Sequence, residues 1–194
     1  MSLVELIAQA DERGLAASGL ACLDRCLPLL GADDEALRPL WTDLADGGDG
    51  DWDELLEQVR GKLGYAGTFD LGPQAPVTDE AALLARRMLD AAPAKRSPAE
   101  VRVWADACSV AALRIHRLLE GASDEAGESL ADARREGRTE GMSPLVAAEL
   151  RRQVTVLELL AGHGAAGLRP ALEVSTEGRR ILRAVVSRRT RRRG

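Results

Sequence analysis

Between Val101 and Leu119, the apolar residues Val101, Trp104, Cys108, Ala111, Ala112, Ile115 and Leu119 recur at helical spacing over more than five turns. No strand satisfies that period, and no short helix needs so long a stripe. Ser97-Pro98-Ala99-Glu100 stands in front of it. Ser97 suits an N-cap, Pro98 suits the first helical position, and Glu100 completes a capping box. The pattern predicts a helix from Pro98 to about Glu120, with Val103, Ala107 and Val110 widening its stripe, as the central and most buried element.

The rest of the chain agrees with that class. Its 194 residues include 32 Ala and 30 Leu, both strong helix formers, and only 3% aromatic residues. The expectation is an all-α fold, an irregular bundle of seven to nine helices, helical-repeat-like in places, with a disordered basic C-terminal tail. Further stripes are Leu3, Val4, Leu6, Ile7 and Ala10; Leu20, Leu23, Leu27 and Leu30; Leu37, Leu40, Trp41 and Leu44; and Trp52, Leu55, Leu56, Val59 and Leu63. Leu83, Leu84, Met88 and Leu89 follow, then Val146, Leu150, Val154, Leu157 and Ala161, then Leu172, Val174, Ile181, Leu182, Val185 and Val186. Residues 121–142 predict at most a thin-faced helix.

Local signals set the boundaries. Asp33 or Asp34 is placed to cap the third helix, with Pro39 in its first turn or at a kink. Asp51 is placed to cap the fourth, Thr78 the fifth, and Ser143-Pro144 opens another. Gly164 to Pro170 reads as a loop, and Leu172-Glu173-Val174 alternates like a short strand. Gly64, Gly67, Gly72, Pro73 and Pro76 punctuate the chain most densely. This divides it into an N-terminal helical half (1–72), a C-terminal helical half packed on it as one core (76–178), and an Arg-rich end of the last helix with its tail (179–194).

Motifs for chemistry are sparse. Asp46, Asp49, Asp51, Asp53 and Glu54 surround three glycines, but Glu54 falls where a calcium loop needs Gly, and Arg60 where it needs Glu. Asp51 therefore reads as a helix cap in a solvated loop. Cys22 and Cys26 share a helix face, yet His116 and His163 are the only His available to complete a metal site. With Cys108, the cysteines read as reduced thiols packed in a core. Cys108 and His116 lie about 12 Å apart along one helix, too far for a nucleophile pair. No phosphate-binding Gly loop, nucleophile elbow or zinc-protease motif occurs, and no catalytic, cofactor or metal residue is assigned. An enzyme without a recognisable motif would draw on Asp106, His116 and Glu158.

Charge is the strongest anomaly. Residues 179–194 hold eight arginines and no acid: Arg179, Arg180, Arg183, Arg188, Arg189, Arg191, Arg192 and Arg193. The first 178 residues hold 18 basic and 31 acidic groups, and residues 33–57 alone hold ten acids and one base. The basic end suits phosphates or an acidic partner, including the protein's own acidic segment.

Ser175-Thr176-Glu177-Gly178-Arg179-Arg180-Ile181-Leu182 resembles the segment that opens the last helix in winged-helix repressors of the MarR type. The likeness covers eight residues. The interval from Leu160 to Ser175 leaves no room for a recognition helix and wing, so no function is carried over.

The absence of a basic, apolar leader and of any transmembrane-length apolar run predicts a cytoplasmic bacterial protein with no membrane role. The function expected is a non-enzymatic protein–protein interaction or regulatory module, by a protein partner or self-association. The alternatives are nucleic-acid binding through the arginine cluster and an enzyme without a motif. No cofactor is expected.

Overall fold

The computed structural model describes residues 1–48, 50–63, 77–121 and 127–191, with the side chains of 127–129 set aside. Its elements are α1 (Leu3–Gln9), α2 (Glu12–Cys26), α3 (Arg38–Ala45), α4 (Trp52–Lys62), α5 (Val77–Asp90), α6 (Pro98–Glu120), α7 (Gly127–Glu136), α8 (Pro144–His163) and α9 (Leu168–Arg191). Short 3-10 turns, Leu27–Leu30 and Gly164–Gly167, extend α2 and precede α9. The fold is an all-α multi-helix bundle, with no strand among the described residues.

Several start signals act as the sequence predicts. Ser97 Oγ accepts from Glu100 N at 3.3 Å, with Pro98 in the first turn of α6. Asp51 accepts from Glu54 N at 3.1 Å, and Pro39 sits in the first turn of α3. Others differ. Asp33 closes a local turn on Glu35 N rather than capping α3. Thr78 lies inside α5, which begins at Val77. Ser143 makes no cap bond; Glu120 Oε1 instead accepts from Leu145 N at 2.8 Å.

The central element is α2, not α6. Every residue from Gly14 to Cys26 is buried, because α6, α8 and α9 all pack on α2. An all-round burial leaves no periodic contrast to read. By contrast, α6 turns Val103, Ala107 and Val110 outward, so these do not widen its buried stripe. Gly19 lets α2 and α6 approach: a Cβ there would lie 2.8 Å from the Trp104 ring. The indole cannot retreat easily, since Trp104 Nε1 donates to Met88 O at 2.9 Å.

The segment read as a loop and short strand is helical. After Gly164–Gly167, α9 starts at Leu168 with Pro170 in its first turn, where a missing N–H costs nothing. The helix runs 24 residues, about 36 Å. Ser175 to Leu182, which resembled a helix start, lies within it. The described basic residues 179–191 are therefore helical, and the expectation of a disordered tail falls on 192–194, outside the described residues. The dense Gly/Pro stretch, 64–76, and Asp49 of the acidic loop also lie outside them. On either side of that stretch, Trp52 Nε1 donates to Pro93 O, and Arg60 donates to the carbonyls of Leu89, Asp90 and Ala92 at the end of α5.

Two glycines test this packing. Gly19→Ala is expected to lower stability by about 1–3 kcal/mol through overpacking against Trp104. Gly61→Ala, in α4 with nothing within 4 Å of its Cβ, is expected to raise it by up to about 1 kcal/mol. Urea unfolding of both variants measures the contrast.

Candidate functional site

Two groups of ionisable side chains stand out, a largely buried polar network and an exposed arginine face. Arg25 on α2 donates to Glu149 on α8 through Nε at 2.8 Å and Nη2 at 2.6 Å, and both side chains are 0% exposed. Gln153, one turn after Glu149, donates to Glu149 Oε1 at 2.9 Å and accepts from Ser109 Oγ on α6 at 2.6 Å. Arg134 on α7 donates to Ser109 Oγ at 3.1 Å and to Asp106 Oδ1 at 2.6 Å. Ser175 on α9 lies 3.5 Å from Arg25 Nη1. Gly178 makes room for that arginine: a Cβ there would lie 2.4 Å from Arg25 Cδ.

His116 closes the network on α6. Its Nδ1 lies 2.7 Å from Ala112 O, a pure acceptor, which assigns the ring proton to Nδ1. Its Nε2 lies 3.5 Å from Glu149 Oε2. Burial pushes the His116 pKa below its ordinary value and outweighs the pull of Glu149. For Glu149 the balance reverses. Burial raises its pKa, but Arg25, then His116, then hydrogen bonds from Arg25 and Gln153 bring it down to about 2.

The sequence-level enzyme candidates separate. His116 is in the network, Asp106 is its partly exposed outlet, and Glu158 stands exposed on α8. Burial lifts the Cys22 thiol to about 12 and the Cys26 and Cys108 thiols well above their ordinary values. Such thiols stay protonated and are poor nucleophiles and ligands. Arg25, Glu149, Gln153 and Ser109 went unnoticed in the sequence. The available signal was Glu149 and Gln153 lying in register with the buried Val146, Leu150 and Leu157.

The arginines of α9 divide into used and free. Arg179 is buried, contacting Asp24 Oδ1 at 2.5 Å and Asp34 Oδ1 at 3.3 Å. Arg183 pairs with Asp34, and that hydrogen bond holds the Asp34 carboxyl below its ordinary range. Arg189 Nε donates to Leu119 O at 2.6 Å. Arg180, Arg188 and Arg191 are exposed; Arg188 and Arg191 have no partner among the described residues, and Arg180 acts on Asp34 only through its charge. At 100° per residue the three fall within a sector of about 80°, along about 16 Å of helix. Arg192 and Arg193 lie outside the described residues.

Three clefts are notable on the surface. One, of about 360 Å³, lies where the ends of α6 and α9 meet the start of α5. A second, of about 760 Å³, lies between α3 and α4 and includes Glu35 and Asp46. A third, of about 310 Å³, runs between α1 and α8. None is lined by Arg25, His116 or Glu149. Among the described residues, no helix is long and apolar enough to cross a membrane. Comparison with known proteins found no matching family, no similar curated protein and no similar solved structure.

Glu149→Gln keeps the shape but leaves Arg25 buried without its counter-charge. It is expected to cost about 3–5 kcal/mol in urea unfolding, and the double change Arg25→Met/Glu149→Leu less than that.

The network also sets a pH dependence. Because His116 has a lowered pKa when folded, the unfolded chain takes up that proton first, and stability falls as pH drops below about 6.5. Glu149 stabilises fully above about pH 4.5, and that contribution is lost as pH falls toward 2. Melting temperatures of wild type and His116→Asn across this range should differ in slope between about pH 6.5 and 4.5, where only the wild type has an imidazole that titrates on unfolding.

Proposed function

We propose that the protein is a non-enzymatic interaction module that engages an acidic protein surface through the free arginine face of α9. The observation carrying this reading is the division of labour among the arginines. Arg179, Arg183 and Arg189 are held by the chain's own carboxylates and carbonyl, while Arg180, Arg188 and Arg191 point to solvent from one side of a packed helix. A rigid helix presents such charges with little ordering cost on binding.

The buried network supports the non-enzymatic part of the reading. Its tightly coupled acid, base and guanidinium are 0–1% exposed and tie helices together. Three buried free thiols suit a reducing compartment such as the cytoplasm.

Nucleic acid is the second reading, favoured by the run of arginines along the same helix. A duplex carries charge continuously along its length and extends past the short arginine face. The first 178 residues, with 31 acids against 18 bases, oppose that extension. A local acidic patch meets no such penalty. Within the chain's own segment 33–57, Asp46, Asp51, Asp53 and Glu54 are exposed around the start of α4, which makes self-association a specific form of the proposal.

Titration of labelled poly-glutamate and of a labelled DNA duplex, with sedimentation at low salt, tests both readings. The expected result is saturable poly-glutamate binding or reversible dimerisation, weakened at least about tenfold in the Arg180→Glu/Arg188→Glu/Arg191→Glu variant. Tight duplex binding with a steep salt dependence transfers the face to nucleic acid. A monomer that binds neither polymer at low salt overturns the proposal.

A further inference from the structure

The cleft of about 360 Å³ beside the free arginine face has a chemistry of its own. Val77 at the start of α5, Leu119 near the end of α6 and Val185 on α9 supply apolar walls. Arg188 and Arg189 supply two guanidinium groups at its edge. Arg189 is fixed there, because its Nε donates to Leu119 O. Gly121 keeps the neighbouring space open: it takes the left-handed cap conformation, φ 79°, and a Cβ would lie 3.3 Å from Arg189 Nη2. Arg188 is exposed, with no partner among the described residues.

Glu120 also lines the cleft, but its Oε1 accepts from Leu145 N at the start of α8. Its Oε2 is buried with no hydrogen-bond partner, so the lining sets one carboxylate against two guanidinium groups. The lining therefore carries one net positive charge beside its apolar walls. That combination, a concave apolar lining with a few polar groups at one edge, is typical of small-molecule sites.

We infer that this cleft binds a small organic acid: a single carboxylate held by Arg188 and Arg189, with an aliphatic body against Val77, Leu119 and Val185. The planar fork of a guanidinium matches a carboxylate. One net positive charge in the lining matches a singly charged carboxylate, and a doubly charged phosphate exceeds it. This site goes beyond the proposed partner surface and does not depend on it.

Octanoate is the probe, titrated into the full chain by calorimetry and by amide shifts of Leu119, Gly121 and Val185. Saturable binding is expected, at least about tenfold tighter than that of octylamine or inorganic phosphate. Arg188→Ala, which removes an exposed side chain and should melt like wild type, is expected to weaken octanoate about tenfold. Arg180→Glu, on the same helix outside the cleft, is expected to leave it unchanged even though it weakens poly-glutamate binding. The inference is overturned by absence of saturation, by octylamine or phosphate binding equally well, by an unaffected Arg188→Ala, or by loss in Arg180→Glu.

Discussion

The buried pair of Arg25 and Glu149 is the interaction around which the bundle is arranged. It joins α2 to α8 directly, reaches α6 through His116, Gln153 and Ser109, and meets α9 at Ser175 and Gly178. Hydrophobic burial drives these helices together, but faces made of Ala and Leu have many near-equivalent ways to pack. A buried ion pair held by two charge-assisted hydrogen bonds in one arrangement penalises the others, since a slipped helix leaves a charge buried and alone. The pair thus selects the register of the bundle more than it adds to its total stability.

The second buried carboxylate shows how much the geometry of the partner matters. Asp24 also sits against an arginine, yet burial raises its pKa and outweighs Arg179 and the Trp41 hydrogen bond. Glu149 moves the opposite way because Arg25 grips it with two donors, and Gln153 and His116 add to that. Arg179 is divided between Asp24 and Asp34. The contact of α9 with α2 at this point consequently offsets less of its desolvation than the contact of α2 with α8.

The sequence made the helical class and many helix starts legible because these are local properties. Ser97, Asp51 and Pro39 act within one turn of their own position. The bundle's centre is a property of the whole chain, and α2 shows why it escaped notice. A helix buried on every side has no polar face to set against its apolar one, and nothing local to α2 marks Arg25 as buried, because its partner Glu149 is 124 residues away. The long α9 was hidden differently: Gly164, Gly167 and Pro170 spell a breaker, yet all three fit the turn and first helical residues. Position along the chain likewise did not distinguish buried Arg179 from exposed Arg180; their angular positions on α9 did.

That last distinction bears on function. A net charge of −5 describes the chain poorly, and so does a count of eight terminal arginines. Charges that the fold has already used, such as those of Arg179, Arg183 and Asp34, are neutralised where they stand and project little field into solvent. What a partner meets is the remainder: Arg180, Arg188 and Arg191 on a helix anchored by its other arginines. Fixing the anchoring set within the fold is what holds the remaining set at a defined spacing. The same residues that took charge away from the tail therefore turned the rest of it from a diffuse cationic segment into an oriented surface.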